Sequence, residues 1–201
     1  MHDLSVIEGN IMDSKADVIG QQCNCVTMGK AKGLAAQIFA RFPYADVYKD
    51  RTEHNRAVAG TWSLHGNGKE ERYVLNIYGQ YYPGESKYNS DSEDLRLGWF
   101  QKALTSFLKA HPNRTLALPH GIGCGMAGGS WGLYERAIKE ASASTGADIL
   151  LYQYVPGAAL RGAGIALKKS HDRDAHPSLA GVPREGTRPL GDSAGGSNLH
   201  R

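Results

Sequence analysis

The sequence predicts an α/β domain, and three observations carry the prediction. Short strand-like apolar runs alternate with amphipathic helix-like segments, the pattern of a layered sandwich built on a largely parallel or mixed sheet. Two glycine-rich loops about ninety residues apart each follow such a run and lead into a helix-like segment. The hydrophobic share of 41% is enough for a real core, and no run of eighteen apolar residues is present.

The elements follow in order. Residues 4–8 read as a first strand and 18–23 as a second, buried on both faces. Residues 33–42 predict a helix, with Leu34, Ile38 and Phe42 on one stripe. Pro43 is placed to start a second short helix that carries Tyr44, Val47 and Tyr48. Residues 61–64 and 73–78 predict a strand pair joined by His65-Gly66-Asn67-Gly68. A polar loop over 80–90 precedes a helix capped by Asp91 or Ser92, whose apolar face is Leu95, Trp99, Ala103, Phe107 and Leu108. Residues 115–118 are a short buried strand, Ser130 caps a helix running to 142, and 148–155 is the last strand.

Beyond Pro156 the pattern breaks. Residues 157–201 are rich in Gly, Pro, Ser and Arg, and only 163–169 resembles a helix, so a tail largely disordered by itself is expected. A segment that binds an unknown partner is the alternative reading. The tail holds seven Lys or Arg against four acids, a difference equal to the whole net charge of +3. The preceding part is therefore balanced, which argues against a general nucleic-acid-binding face on the domain. Met1-His2-Asp3 does not begin a signal peptide, so a cytoplasmic chain with no membrane partner is expected.

The three cysteines, Cys23, Cys25 and Cys124, all fall in the glycine loops, an odd number without disulfide-framework spacing. A zinc reading of Cys23, Cys25, Cys124 and His120 competes with one in which they are small residues beside a ligand cleft. The Cys-x-Cys spacing lacks the usual C-x2-C turn, so the second reading is preferred and no metal or cofactor is expected.

The first loop reads Gln22-Cys23-Asn24-Cys25-Val26-Thr27-Met28-Gly29-Lys30-Ala31-Lys32-Gly33-Leu34-Ala35, and the second Leu118-Pro119-His120-Gly121-Ile122-Gly123-Cys124-Gly125-Met126-Ala127-Gly128-Gly129-Ser130-Trp131. A glycine-rich strand-to-helix turn brings backbone N–H groups and a helix N-terminus to a ligand, which suits phosphate oxygens. Two such turns in one small domain suggest a cleft that grips a diphosphate. Gly123→Glu is then expected to block binding and leave the fold intact. Lys30 and Lys32 add positive charge, or are solvated loop charges; the sequence leaves both open. Asn24 offers both a donor and an acceptor to a ligand, or bonds its own turn.

The order and spacing of these loops resemble the macrodomain family, whose usual ligand is ADP-ribose. Asn24, Met28-Gly29 and Gly33-Leu34-Ala35, with Ile122-Gly123-Cys124-Gly125 and Trp131, carry the likeness. Val6-Ile7-Glu8-Gly9-Asn10-Ile11 looks like the family's opening strand and adenosine-side turn, with Asn10 where Asp is commoner. The likeness covers roughly residues 1–155. It is nearest the branch of terminal ADP-ribose glycohydrolases, DNA de-ADP-ribosylating antitoxins and ADP-ribose 1″-phosphate phosphatases. It implies a three-layer α/β/α sandwich with a mixed central sheet over residues 1–156. The implied ligand contacts are Asn10, Ile11, Asn24, Met28, Gly29, Gly33, Leu34, Gly121, Ile122, Gly123, Cys124, Gly125 and Met126, with Tyr152 and Tyr154 against adenine.

The family's catalytic groups are not matched. Gly79 and Gln80 stand where the glycohydrolases and antitoxins carry a Lys, Ala127 stands where those glycohydrolases carry an Asp, and residues 28–34 contain no acid. His120 is the best nearby titratable group, and Gln80 is placed to orient a water. Two functions therefore compete. One is an enzyme hydrolysing ADP-ribosyl linkages or ADP-ribose 1″-phosphate, on protein, nucleic acid or a small metabolite. The other is a non-catalytic ADP-ribose reader or nucleotide-sequestering module. In a more distant reading the cleft is vestigial and the tail binds a partner.

Overall fold

A computed structural model describes residues 4–155. The expected boundary at 156/157, the tail over 157–201 and the short helix at 163–169 lie outside the described residues. The strands are β1 (Ser5–Glu8), β2 (Val18–Asn24), β3 (Trp62–His65), β4 (Tyr73–Gln80), β5 (Leu116–Pro119) and β6 (Ile149–Gln153). The helices are α1 (Gly33–Arg41), α2 (Glu93–Ala110) and α3 (Trp131–Thr145). The six strands of the described residues form one sheet in the order β1-β6-β5-β2-β4-β3. All pairings are parallel except that of β3 with β4, so the sheet is mixed, as expected.

Strand alternation divides the interior into two cores and so makes three layers. Val18, Leu75, Ile77, Leu116, Leu118 and Leu151 face α2 and α3, where Phe100, Leu104, Phe107, Tyr134 and Ile138 cover them. Ile19, Cys23, Val74, Tyr78 and Ala117 face the other way, toward Ile38 and Phe39 of α1 and the following Phe42, Ala45 and Tyr48. None of the helices among the described residues is long and apolar enough to cross a membrane.

Several local expectations need correction. The second helix after α1 is a single 3-10 turn, Pro43–Ala45; Asp46 then turns the chain by accepting hydrogen bonds from the N–H groups of Tyr48 and Lys49. Ser92 caps α2 by accepting from the Leu95 N–H, while Asp91 is occupied elsewhere. The buried stripe of α2 is Arg96, Phe100, Ala103, Leu104, Phe107 and Leu108, which leaves Leu95 at 40% exposure and Trp99 at the margin. Ala103, Phe107 and Leu108 lie on the stripe as expected; counting only apolar residues misplaced its start, because its first member is a buried arginine. α3 runs to Thr145 and ends on Gly146 at φ +70°, a left-handed cap that suits glycine. The Ser130 side chain makes no capping bond there. β6 ends at Gln153, short of 155.

Candidate functional site

The sheet opens between β2 and β5. Their pairing ends at Ile19–Ala117, whereas β2 stays paired with β4 as far as Asn24–Gln80 and β5 with β6 as far as Pro119–Tyr152. α1 follows β2 and covers one face; α3 follows β5 and covers the other. Adjacent strands whose connections leave on opposite faces define a switch point, where α/β sheets hold ligands beyond the carboxyl ends of the strands. A cleft of about 670 Å³ lies there. It takes Gln21 and Gln22 from both faces of β2, because that strand is bare on its β5 side at this height.

Both glycine loops line the cleft. The second contributes His120, Gly121, Ile122, Gly123, Gly125, Met126 and Ala127. It is wound by hydrogen bonds from Ile122 N–H to Pro119 (3.0 Å), Cys124 to Gly121 (2.9 Å), Gly128 to Gly125 (3.1 Å) and Gly129 to Gly123 (3.0 Å). That winding leaves the N–H groups of Gly121, Gly123, Gly125 and Met126 without an acceptor among the described residues. Gly123 sits at φ +76°, and a Cβ there would stand 2.3 Å from the Tyr134 ring. The position therefore requires glycine both for its backbone and for the ring packed behind it. The expectation that Gly123→Glu leaves the fold intact is thus wrong. Gly125, with no such backbone constraint and nothing within 4 Å of its Cβ position, is the glycine of this loop open to a side chain.

The first loop contributes Thr27, Lys30, Lys32, Gly33, Leu34 and Ala35. The opening N–H groups of α1 point out of the helix without a side-chain cap from Lys32. A Cβ on Gly33 would lie 3.0 Å from the Met126 sulfur, so the two loops meet across the cleft. Among the described residues the lining includes two lysines and no carboxylate.

Asn24 lies at the end of β2 and reaches the cleft, but its side-chain oxygen accepts from the N–H groups of Val26 (3.1 Å) and Thr27 (2.7 Å). Its amide also donates to the Tyr48 hydroxyl at 3.1 Å. The turn-forming use of this asparagine therefore claims its acceptor. Tyr48 and Arg51 complete the support, and the sequence reading missed both roles. Tyr48 accepts from the Asn24 N–H (2.9 Å), and Arg51 Nη1 donates to the carbonyls of Asn24 (2.9 Å) and Thr27 (3.2 Å). Arg51 is 7% exposed and stacks 4.8 Å from the Tyr48 ring centroid. Tyr48 was legible only as part of a short helix and Arg51 gave no signal, so only the fold joins them to the loop.

A second unread support ties the loop after β4 to the cleft rim. Asp91 and Arg96 form a buried ion pair, and Arg96 Nη1 also donates to the carbonyls of Gly84 (2.7 Å) and Ala127 (3.3 Å). Asp91 accepts from the N–H groups of Tyr81 (2.9 Å) and Tyr82 (3.1 Å). Burial alone would raise its carboxyl, but the Arg96 and backbone hydrogen bonds outweigh this and hold it below the ordinary range.

The two residues read as catalytic both line the cleft. His120 is exposed, with its ring 4.4 Å from that of Trp131. Gln80 is 8% exposed, and both ends of its amide are engaged: the oxygen accepts from Gln22 Nε2 (2.9 Å) and the nitrogen donates to the Tyr82 carbonyl (2.8 Å). Several expected ligand contacts lie outside the cleft lining. Asn10 caps a 3-10 turn through the Met12 N–H, Ile11 is core, Met28 is exposed, and the Gly29 N–H is bonded to the Tyr48 carbonyl. Cys124 turns its thiol to the Ile122 carbonyl at 3.3 Å. Tyr152 packs on the α1-side core, whereas Tyr154, past the end of β6, is 70% exposed.

Cys23 and Cys25 lie in the α1-side core, while Cys124 packs against the other. Burial pushes the Cys23 and Cys25 thiols up to about 12 and also raises Cys124. All three therefore stay protonated near neutral pH. Among the described residues no three His, Cys, Asp or Glu side chains gather as a metal site.

No protein-family model matches the chain, and no curated protein matches it in sequence. Solved structures do match. The macrodomain of Mycobacterium tuberculosis DarG is 18% identical, with a TM-score of 0.60 over 75% of this chain and 97% of that one. The macrodomain of Thermus aquaticus DarG is 22% identical, with a TM-score of 0.59 over 77% and 99%. A mutant Oceanobacillus iheyensis macrodomain, determined with ADPR, is 12% identical, with a TM-score of 0.51 over 74% and 83%. Sheet order, switch-point cleft and these similarities agree: the chain has the macrodomain fold.

Proposed function

We propose that the cleft binds ADP-ribose or a closely related NAD-derived nucleotide, with the diphosphate lying between the two glycine loops. The observation that carries this reading is a switch-point cleft that, among the described residues, has uncommitted N–H groups of Gly121, Gly123, Gly125 and Met126, two lysines and no carboxylate. Backbone donors and a helix N-terminus satisfy phosphate oxygens without the reorganisation that mobile side chains need. The fold shared with a macrodomain determined with ADPR supports the same ligand class.

For turnover the reading is narrower. Hydrolysis of an ADP-ribosyl linkage or a 1″-phosphate needs a positioned water and a group to move its proton. His120 is the candidate for the proton, while Gln80 is tied to Gln22 and Tyr82. That no carboxylate lines the cleft among the described residues favours a reader or nucleotide-sequestering module over a hydrolase. We also propose that residues 1–156 form the binding domain and that 157–201 are a tail outside it.

The test is a thermal-shift titration with ADP-ribose. Chromatographic product analysis then follows incubation with ADP-ribose 1″-phosphate and with ADP-ribosylated protein and DNA. Stabilisation without product is the expected result. Product that disappears in His120→Ala would establish the hydrolase instead, and no stabilisation would overturn the ligand assignment.

A further inference from the structure

The sulfur atoms of the described residues divide by access. Cys23 and Cys25 are buried in the α1-side core, and the Cys124 thiol donates to the Ile122 carbonyl. Burial keeps all three thiols protonated, whereas peroxides attack the thiolate. Met12 packs partly buried against the α1-side core. Met28 and Met126 are 50% and 60% exposed, and of the two only Met126 lines the cleft. The readily oxidised sulfur at the ligand site is therefore a thioether, which needs no ionisation to react.

The position of this thioether gives oxidation a consequence. Met126 belongs to the second glycine loop, yet its sulfur stands beside Gly33, the first residue of α1 in the facing loop. The side chain thus links the opening N–H groups of α1 to the N–H groups of Gly125 and Met126, which have no acceptor among the described residues. A thioether is a weak acceptor and leaves these donors to a ligand. A sulfoxide is polar and carries an acceptor oxygen, tethered where phosphate oxygens are proposed to lie. It competes for the same donors from within the molecule, at high effective concentration.

We propose that Met126 is a redox modification site whose oxidation by a peroxide closes the cleft to its ligand, an inference that rests on the ADP-ribose reading above. The sulfur lone pair takes one oxygen from hydrogen peroxide: the O–O bond breaks, an S–O bond forms, and water leaves. The sulfur loses two electrons and the peroxide gains them. A thiol-dependent methionine sulfoxide reductase reverses the step, releasing the oxygen as water while two thiols become a disulfide.

The experiment treats the full chain, Met28→Leu and Met126→Leu with hydrogen peroxide and then removes the peroxide with catalase. Peptide mass mapping locates the added oxygen, calorimetry reads ADP-ribose affinity, and thermal melting reads the fold. Wild type is expected to gain a sulfoxide at Met126 and to lose about tenfold in affinity, with its melting temperature kept. Methionine sulfoxide reductases with dithiothreitol are expected to restore the affinity. Met28→Leu is expected to lose affinity by the same factor, and Met126→Leu to bind equally well before and after treatment. No oxygen on Met126 under conditions that oxidise Met28 would overturn the proposal. So would oxidised Met126 with affinity unchanged, or an equal loss in Met126→Leu. Those outcomes remove the switch alone; no binding by untreated wild type would remove the ADP-ribose reading, and the switch with it.

Discussion

Single residues decide whether the second glycine loop can be tested without breaking it. Gly123 has Tyr134 packed behind it and a left-handed backbone, so Gly123→Glu is expected to cost more than about 2 kcal/mol of stability, read by denaturant unfolding. Gly125→Glu meets open space and adds a negative charge beside the N–H groups that have no acceptor among the described residues. It is expected to leave the melting temperature nearly unchanged and to abolish ADP-ribose binding. The Asp91–Arg96 pair belongs to the same scale. Arg96→Met leaves a buried carboxylate unpaired and is expected to destabilise by about 3–5 kcal/mol. Because the folded Asp91 carboxyl is depressed, its contribution is complete above the unfolded value, about pH 4, and is lost as pH falls through the folded value. Acid titration of stability is expected to show this loss in the full chain and not in Asp91→Asn.

Among the elements, α2 shows what periodicity can and cannot reveal. Its existence, one of two cap candidates and the inner positions Ala103, Phe107 and Leu108 were legible, but a buried arginine heads the stripe, and hydrophobicity alone put Leu95 and Trp99 at its start. Leu104→Ala is expected to cost about 2–5 kcal/mol, and Leu95→Ala to stay within about 0.5 kcal/mol, in equilibrium unfolding. The alternating strands and helices and the two glycine loops were readable because each leaves a local signature of period or glycine, whereas the mixed sheet followed from the family resemblance. The helix expected after Pro43 shrank to one turn because Asp46 redirects the backbone. The supports of the site were not readable. Arg51 reaches back to the carbonyls of Asn24 and Thr27, and the side chains of Gln21 and Gln22 donate from β2 to Asn76 and Gln80 of β4, contacts that exist only after the strands pair.

The whole molecule places its cleft where β2 and β5 part, with helices leaving to opposite faces. Donors from two loops then surround one volume while the sheet stays continuous through β4 on one side and β6 on the other. If residues 1–156 are the binding unit, truncation there is expected to preserve ADP-ribose affinity; a loss would assign residues 157–201 a part in binding. The most direct measurement is calorimetric titration of ADP-ribose into the full chain and into Gly125→Glu. Saturable binding at one site in the full chain, with no heat of binding in the folded variant, is the predicted result. No binding by the full chain, or undiminished binding by Gly125→Glu, would contradict a diphosphate held by these loops.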